Sequence, residues 1–391
     1  MAEMLLSLEP SKKIYRFAVA SLFFLQGLCF ATWASRIPSI QQDLHLSEGT
    51  LGIILFALPA GSMIALPLSG WLVTRFGSKT VVINTLIVYA LLLVGIGLAR
   101  STFQLIPVLV LFGMAGNTAN IAMNTQAVGV EAKYRRNIMA SFHGLWSLAG
   151  FTAAGIGAYM IGNGIIPFHH FIIIGAFIML ALAFIFQYLL PNEERSTVRN
   201  KLFVMPDKSL VTLGILAFCC MMCEGAMFDW SGIYFKKVVG AEKAWIGAGY
   251  TAFMCTMAAG RFIADWVAVQ LGFTRTLQVS GILITAGLGI ALLFPYLAPA
   301  ITGFFLVGLG VSSVVPLVYS KAGRSKTLSP GIALAAVSSI GFLGFLIGPP
   351  VIGIVAGILN LRVSFVIIAL MGLSVALLAG LLNKQNTHRS Q

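Results

Sequence analysis

Long apolar runs separated by short polar turns dominate this chain from end to end. A hydrocarbon core about 30 Å thick is crossed by roughly 20 apolar residues in a helix. On that basis twelve spans are predicted, over 15–35, 50–73, 80–99, 103–126, 138–162, 168–190, 209–235, 244–268, 276–295, 299–320, 331–358 and 362–382. The pattern is that of an all-α membrane protein with twelve transmembrane helices. Composition agrees: 58% of the 391 residues are hydrophobic, 9% are charged and the mean hydropathy is +0.94, whereas a soluble globule carries about a quarter charged residues. The lipid bilayer is therefore the expected surrounding.

The net charge of +13 raises the question of nucleic acid, but aromatic-basic platforms and basic helices are missing from the sequence. Topology explains the excess better, because cytoplasmic loops are enriched in Lys and Arg. Placing both termini in the cytoplasm puts there Lys12, Lys13, Arg16, Arg75, Lys79, Lys133, Arg135, Arg136, Arg195, Arg199, Lys201, Lys208, Arg275, Lys321, Arg324, Lys326, Lys384 and Arg389. These are 18 of the 25 basic residues. The cluster Lys236, Lys237 and Lys243 runs against the rule locally. Lys12, Lys13 and Arg16 precede the first apolar run as in a signal peptide, but that run lacks a clear small-residue cleavage site and is expected to be retained as a helix.

The longest polar stretch, Pro191 to Lys208, follows the sixth span and predicts two six-helix halves, 1–190 and 209–391, joined by a cytoplasmic linker over 191–208. An internal repeat supports the division. A shift of 195 residues lays Gly52 on Gly247, Trp71 on Trp266 and Gly77 on Gly272. A shift of about 198 lays Gln26-Gly27 and Phe30 on Glu224-Gly225 and Phe228, with Trp33 meeting Trp230 after one deletion, and Gly144 meets Gly341. Parallel repeats of this kind occur in secondary transporters.

The turn after the second span reads Gly70-Trp-Leu-Val-Thr-Arg75-Phe-Gly77-Ser-Lys79. It resembles the loop signature of the major facilitator superfamily, with Thr74 where that family usually has Asp. Gly70 allows close helix contact, Gly77 a tight turn, and Arg75 and Lys79 lie on the cytoplasmic side. The second copy keeps Gly260, Arg261, Asp265 and Gly272 but has Val269 and Gln270 where the family has Asp-Arg. Arg261 and Asp265, at i and i+4, are neighbours on one helical face and are expected to neutralise one another as a gate or clamp. Ala34-Ser35-Arg36-Ile37-Pro38, His143-Gly144-Leu-Trp-Ser-Leu, Glu224-Gly225 with Asp229-Trp230, and Gly348-Pro349-Pro350 with Gly353 are similar to the fucose-permease-related branch of that superfamily. The resemblance implies proton-linked transport of a small polar solute in a bacterial inner membrane, by a monomer without cofactor, and a cavity between spans 1, 4, 7 and 10.

Within the apolar runs only three of the twelve acids remain, Glu224, Asp229 and Asp265. A charge there costs a few kcal/mol or more, so an acid kept in a span points to function. At 1.5 Å per residue, Glu224 lies about 21 Å and Asp229 about 28 Å from the start of the seventh span, and about 140° of helix separates them. A desolvated carboxyl can exchange protons near neutral pH where a solvated one stays ionised. Glu224 is thus the predicted proton carrier, against a static helix-helix hydrogen bond. Asp229 and Trp230 are predicted on the substrate cavity at the rim of an outer gate, where Arg36 or the Lys236, Lys237 loop would pair with the acid.

Asn117, Asn120 and Asn124 share one stripe of span 4, suited to a hydroxyl-rich ligand or to knitting helices together. Gln26 and Trp33 share a face of span 1, where an amide and an indole suit a sugar ring, and Tyr319 offers a weaker face in span 10. His143 is a second possible proton site, against a structural hydrogen bond. Pro349-Pro350 is a predicted kink.

The sequence holds no phosphate-binding loop for ATP and no metal-ligand spacing, and its five cysteines give no disulfide framework. An enzyme is not expected. The expected function is secondary transport of a small, sugar-like solute by proton symport. The alternatives are proton-antiport efflux of an amphipathic compound and a non-transporting receptor on a transporter fold.

Overall fold

The computed structural model describes residues 11–134, 138–191, 208–323 and 330–388. They form twelve α-helices and no strand: α1 (Lys12–Asp43), α2 (Glu48–Phe76), α3 (Ser78–Leu98), α4 (Thr102–Tyr134), α5 (Met139–Gly162), α6 (Pro167–Ile185), α7 (Lys208–Tyr234), α8 (Ala248–Leu271), α9 (Phe273–Leu293), α10 (Leu297–Gly323), α11 (Pro330–Ile358) and α12 (Leu361–His388). Eleven of them are long and apolar enough to cross a membrane. Residues 192–207 of the predicted linker, and Arg135, Arg136, Arg324 and Lys326 of the predicted inner loops, lie outside the described residues.

The largest departure from the predicted spans is at α1, which runs on through Pro38 to Asp43. Polar residues there are helical because neighbours bury them. Arg36 is 1% exposed and donates to the Ile165 carbonyl in the turn between α5 and α6, and the Pro38 ring packs on Gly232 of α7. Between α7 and α8 the chain makes a wide turn over Phe235–Val239, closed by Gly240 in the left-handed region, so α8 starts at Ala248.

Two sets of helices pack internally. One is built on α2 with α4, α1 with α5, and α3 with α4 and α6. The other is built on α7 with α11 and α12, α9 with α10 and α12, and α8 with α10. Lipid offers little hydrophobic drive between helices, so close approach through small residues carries the packing. A Cβ built on Gly281 of α9 would lie 2.5 Å from the Ala376 nitrogen of α12. Repeat-matched glycines do matching work. Gly77 and Gly272 each end one helix and start the next at φ 81° and 78°, a conformation open to glycine.

The sets meet through α2 with α11, α5 with α8, and α1 with α7. Successive helices run in opposite directions, so the termini share one end of the bundle, the near end. At the other, far end the sets meet closely: Gly52 of α2 against Pro349 and Gly353 of α11, Gly247 beside Ala158 of α5, and Gly232 beside Pro38. Lys236 donates to Gln42 at 2.7 Å and Lys237 pairs with Glu48 across the same seam. The far end is closed, while among the described residues α4 has no extensive packing with any of α7–α12. The α1 and α7 spans are the most buried, at 72% and 78%, and no other exceeds 56%. These two helices form the centre of the molecule.

Candidate functional site

A cavity of about 370 Å³ lies between the two sets, within the usual range for small-molecule sites. It is walled by α1, α2, α4 and α5 on one side and α7, α8, α10 and α11 on the other, with Tyr89 of α3 behind.

From α7 it takes Met221, Glu224, Gly225, Phe228 and Asp229. This is the i, i+3, i+4, i+7, i+8 stripe of one broad helical face. The sequence reading separated the two acids because 140° of helix lies between them. The central position of α7 gives the cavity a wide enough arc to take in both, although they do not pair with each other.

Glu224 is buried, at 6% exposure. Its Oε1 accepts a hydrogen bond at 3.0 Å from Arg261 Nη2 of α8. Arg261 Nη1 donates at 2.8 Å to Ser147 Oγ of α5, in the other set, and that hydroxyl donates to the His143 carbonyl at 3.2 Å. Arg261 was expected to pair with Asp265 on its own helix. The side chain of Asp265 lies outside the described residues, and the observed partner of Arg261 is the carboxylate of α7. A long guanidinium reaching a buried acid relieves the cost of burying either charge alone.

Asp229 is half-buried and open to the cavity. The gate partners expected for it are all engaged elsewhere: Arg36 with the Ile165 carbonyl, Lys236 with Gln42 and Lys237 with Glu48. The far-end seam is closed without Asp229, and no described donor reaches its carboxylate. Trp230, predicted beside it, is fully buried and faces away from the cavity lining, its Nε1 without a described partner.

Aromatic rings gather around Phe228. Phe30 lies 5.3 Å away edge-on, Trp146 6.3 Å, and Phe345 6.3 Å and stacked. Trp146 Nε1 donates to Gln26 Oε1, so the amide carbonyl expected to face a solute is held by the indole. Trp33 lines the cavity from the same helix.

On the opposite wall Asn117 and Asn120 line the cavity, and Asn117 Oδ1 is buried without a partner. Asn124 does not line it. Its amide donates back to Asn120, to the backbone carbonyl at 2.8 Å and to Oδ1 at 3.2 Å. Tyr319 enters from α10. His143 lines the cavity, is exposed, and stands 5.1 Å edge-on from Phe23. No described hydrogen bond holds its ring, in contrast to the structural bond expected.

At the near end Arg75 packs over the rings of Trp71 and Phe76 at 5.7 Å each. A Cβ built on Gly70 meets no described atom within 4 Å. Cys220 and Cys223 point to different helices, towards the carbonyls of Val311 and Ile368.

The sequence reading missed Phe30, Trp146, Ser147, Phe228 and Phe345 as site residues. Phe30 and Phe228 carried a signal, since they are repeat mates. Trp146 and Ser147 carried a weaker one, inside the His143-Gly144 motif. Phe345 carried none.

A profile of the Major Facilitator Superfamily matches residues 19–328. The Membrane protein MosC of Rhizobium meliloti is 32% identical over 371 residues, 94% of this chain and 90% of that protein. Among solved structures, a bacterial homologue of the human lysosomal transporter Spinster, in an inward-facing and unoccupied conformation, superposes with a TM-score of 0.77 at 14% identity, over 95% of this chain and 97% of that one. The fucose:proton symporter FucP of E. coli gives 0.61 at 18% identity, over 95% and 99%. This chain belongs to the major facilitator superfamily and is a multi-pass membrane transporter, not an enzyme.

Proposed function

We propose that the protein is a proton-coupled carrier of a small organic solute, working by alternating access about the central cavity. The observation that carries the reading is the chain Glu224–Arg261–Ser147, in which the partner of a buried acid also bridges the two helix sets. With the near end facing the cytoplasm of a bacterial inner membrane, as the basic loops favour, the described state is open inward. Protonation of Glu224 removes the anion that holds Arg261. Glu224 takes this proton from the far side while the carrier is open outward, with Arg261 released from Ser147. Solute binding then drives inward opening, loss of solute and proton to the cytoplasm restores the pair, and the empty carrier returns outward for the next proton. This cycle is symport, and the likeness to a fucose:proton symporter fits it.

The cavity has two characters. Asn117, Asn120 and Tyr319 suit hydroxyl groups, as a sugar-like solute requires, while Phe30, Trp146, Phe228 and Phe345 suit an apolar ring face. The solute is accordingly amphipathic, carried by a monomer. The same aromatic lining favours a second reading, proton-antiport efflux of an amphipathic compound, and the direction of the pH gradient that drives accumulation separates the two.

The test uses proteoliposomes and a solute found by thermal-shift screening of sugars, sugar acids, peptides and drugs. Glu224→Gln is expected to abolish accumulation driven by a pH gradient while counterflow exchange continues. Full accumulation by that variant overturns the assignment.

A further inference from the structure

The proposed cycle uses Glu224 and Arg261 and gives Asp229 no task. Asp229 lies five positions further along α7, about 7.5 Å nearer the far end, on the same cavity. A carboxylate within a membrane span is costly unless partnered. Among the described residues the fold supplies Asp229 no partner. Arg261 is held by Glu224 at 3.0 Å, Lys236 by Gln42 at 2.7 Å, Lys237 by Glu48 and Arg36 by a backbone carbonyl. Nor is Asp229 sealed into packing, as its helix neighbour Trp230 is at 0% exposure. It stays open to the space a solute would fill.

The surroundings narrow the chemistry further. Asp229 follows Phe228, the hub of the ring cluster, with Phe30 at 5.3 Å and Tyr250 at 6.2 Å from that ring. The Tyr250 hydroxyl is buried without a described partner, and Trp33 lines the same cavity. Aromatic faces attract cations, more strongly when water is excluded. In the described state, with Glu224 ionised, the formal charges of Glu224, Asp229 and Arg261 leave one negative charge, which a monovalent cation would neutralise. In that state an anionic solute would need Arg261, whose guanidinium already spans Glu224 and Ser147.

We propose that the solute is an organic cation, a protonated amine on a small aromatic or amphipathic body, with its ammonium seated at Asp229 and its body against Phe30 and Phe228. This deepens the carrier reading and rests on it for the word solute.

The test is equilibrium binding to purified protein at neutral pH, by calorimetry, with a matched set of probes: tyramine, its neutral counterpart 4-(2-hydroxyethyl)phenol and its anionic counterpart 4-hydroxyphenylacetate. A charge-assisted contact in a desolvated site favours tyramine over the alcohol by about tenfold or more. Asp229→Asn is expected to bring the two within about threefold by weakening tyramine alone, and Asp229→Glu to keep the preference. The second variant keeps the test decisive should the first fold poorly. Tighter binding of the carboxylate, equal binding of all three, no binding of tyramine, or a preference that survives Asp229→Asn overturns the proposal. Binding is read without a gradient, so such a failure leaves the coupling role of Glu224 to be judged by accumulation alone.

Discussion

A buried carboxylate in a membrane span survives by finding a partner, and Glu224 finds Arg261. Removing one member of a buried ion pair leaves the other uncompensated, at a cost of about 3–5 kcal/mol. Arg261→Met is therefore expected to lower the unfolding free energy by about that amount, and the double variant Glu224→Gln/Arg261→Met to recover most of it. Thermal unfolding of the four proteins in a double-mutant cycle checks this. Additive losses would mean that the two side chains act separately. Glu224 was legible in the sequence as an isolated acid in a long apolar run. Its partner was not. Asp265 stood at the right spacing on the same helix as Arg261, and no sequence pattern says that a guanidinium turns to a helix 37 positions away. Asp229 was readable as a cavity residue from its place in the span, but the gate pairing expected for it is not observed, since nothing in the sequence shows that Arg36, Lys236 and Lys237 are engaged elsewhere.

Between elements the far-end seam is held by two kinds of contact of unequal weight. Lys237 and Glu48 are partly exposed, at 41% and 23%, and exposed pairs contribute about 0–1 kcal/mol. The backbone approach of α2 to α11 is less forgiving, since a Cβ on Gly52 would lie 2.8 Å from the Gly353 Cα. Gly52→Leu is expected to hold the far end open and Lys237→Ala to change its closure little. Thiol labelling of a cysteine placed at Pro38 reads both: strong labelling in the first variant and weak labelling in the second is the expected pattern, and the reverse would place closure in the ion pair. The helices and the turn glycines were legible because hydrocarbon thickness and positive φ leave few alternatives, and the repeat pointed to Gly52 and Gly247. The continuation of α1 through Pro38 was not legible, because burial of Arg36 and Gln41 by other helices overrides their local polarity.

For the whole molecule, membership of the superfamily and the all-helical fold were readable from composition, span length and one loop motif. The conformational state was not, since it depends on which ends of the two sets touch, and a sequence carries the glycines for more than one such state. The ionisation of Glu224 sets that state in the proposed cycle, and a distance across the seam tests this without any solute. Spin labels at Thr50 and Glu242, with exposed Cys255 replaced by Ser, report closure of the far end. The ionised carboxylate favours the described state through Arg261 and Ser147, so this preference is present at higher pH and lost as Glu224 takes up a proton. His143 and Asp229 also line the cavity and titrate, and His143→Gln and Asp229→Asn serve as their controls. Lowering the pH is expected to shift the wild-type, His143→Gln and Asp229→Asn distances towards longer values, and to leave Glu224→Gln unchanged. A pH-dependent shift of the same size in Glu224→Gln would contradict the account.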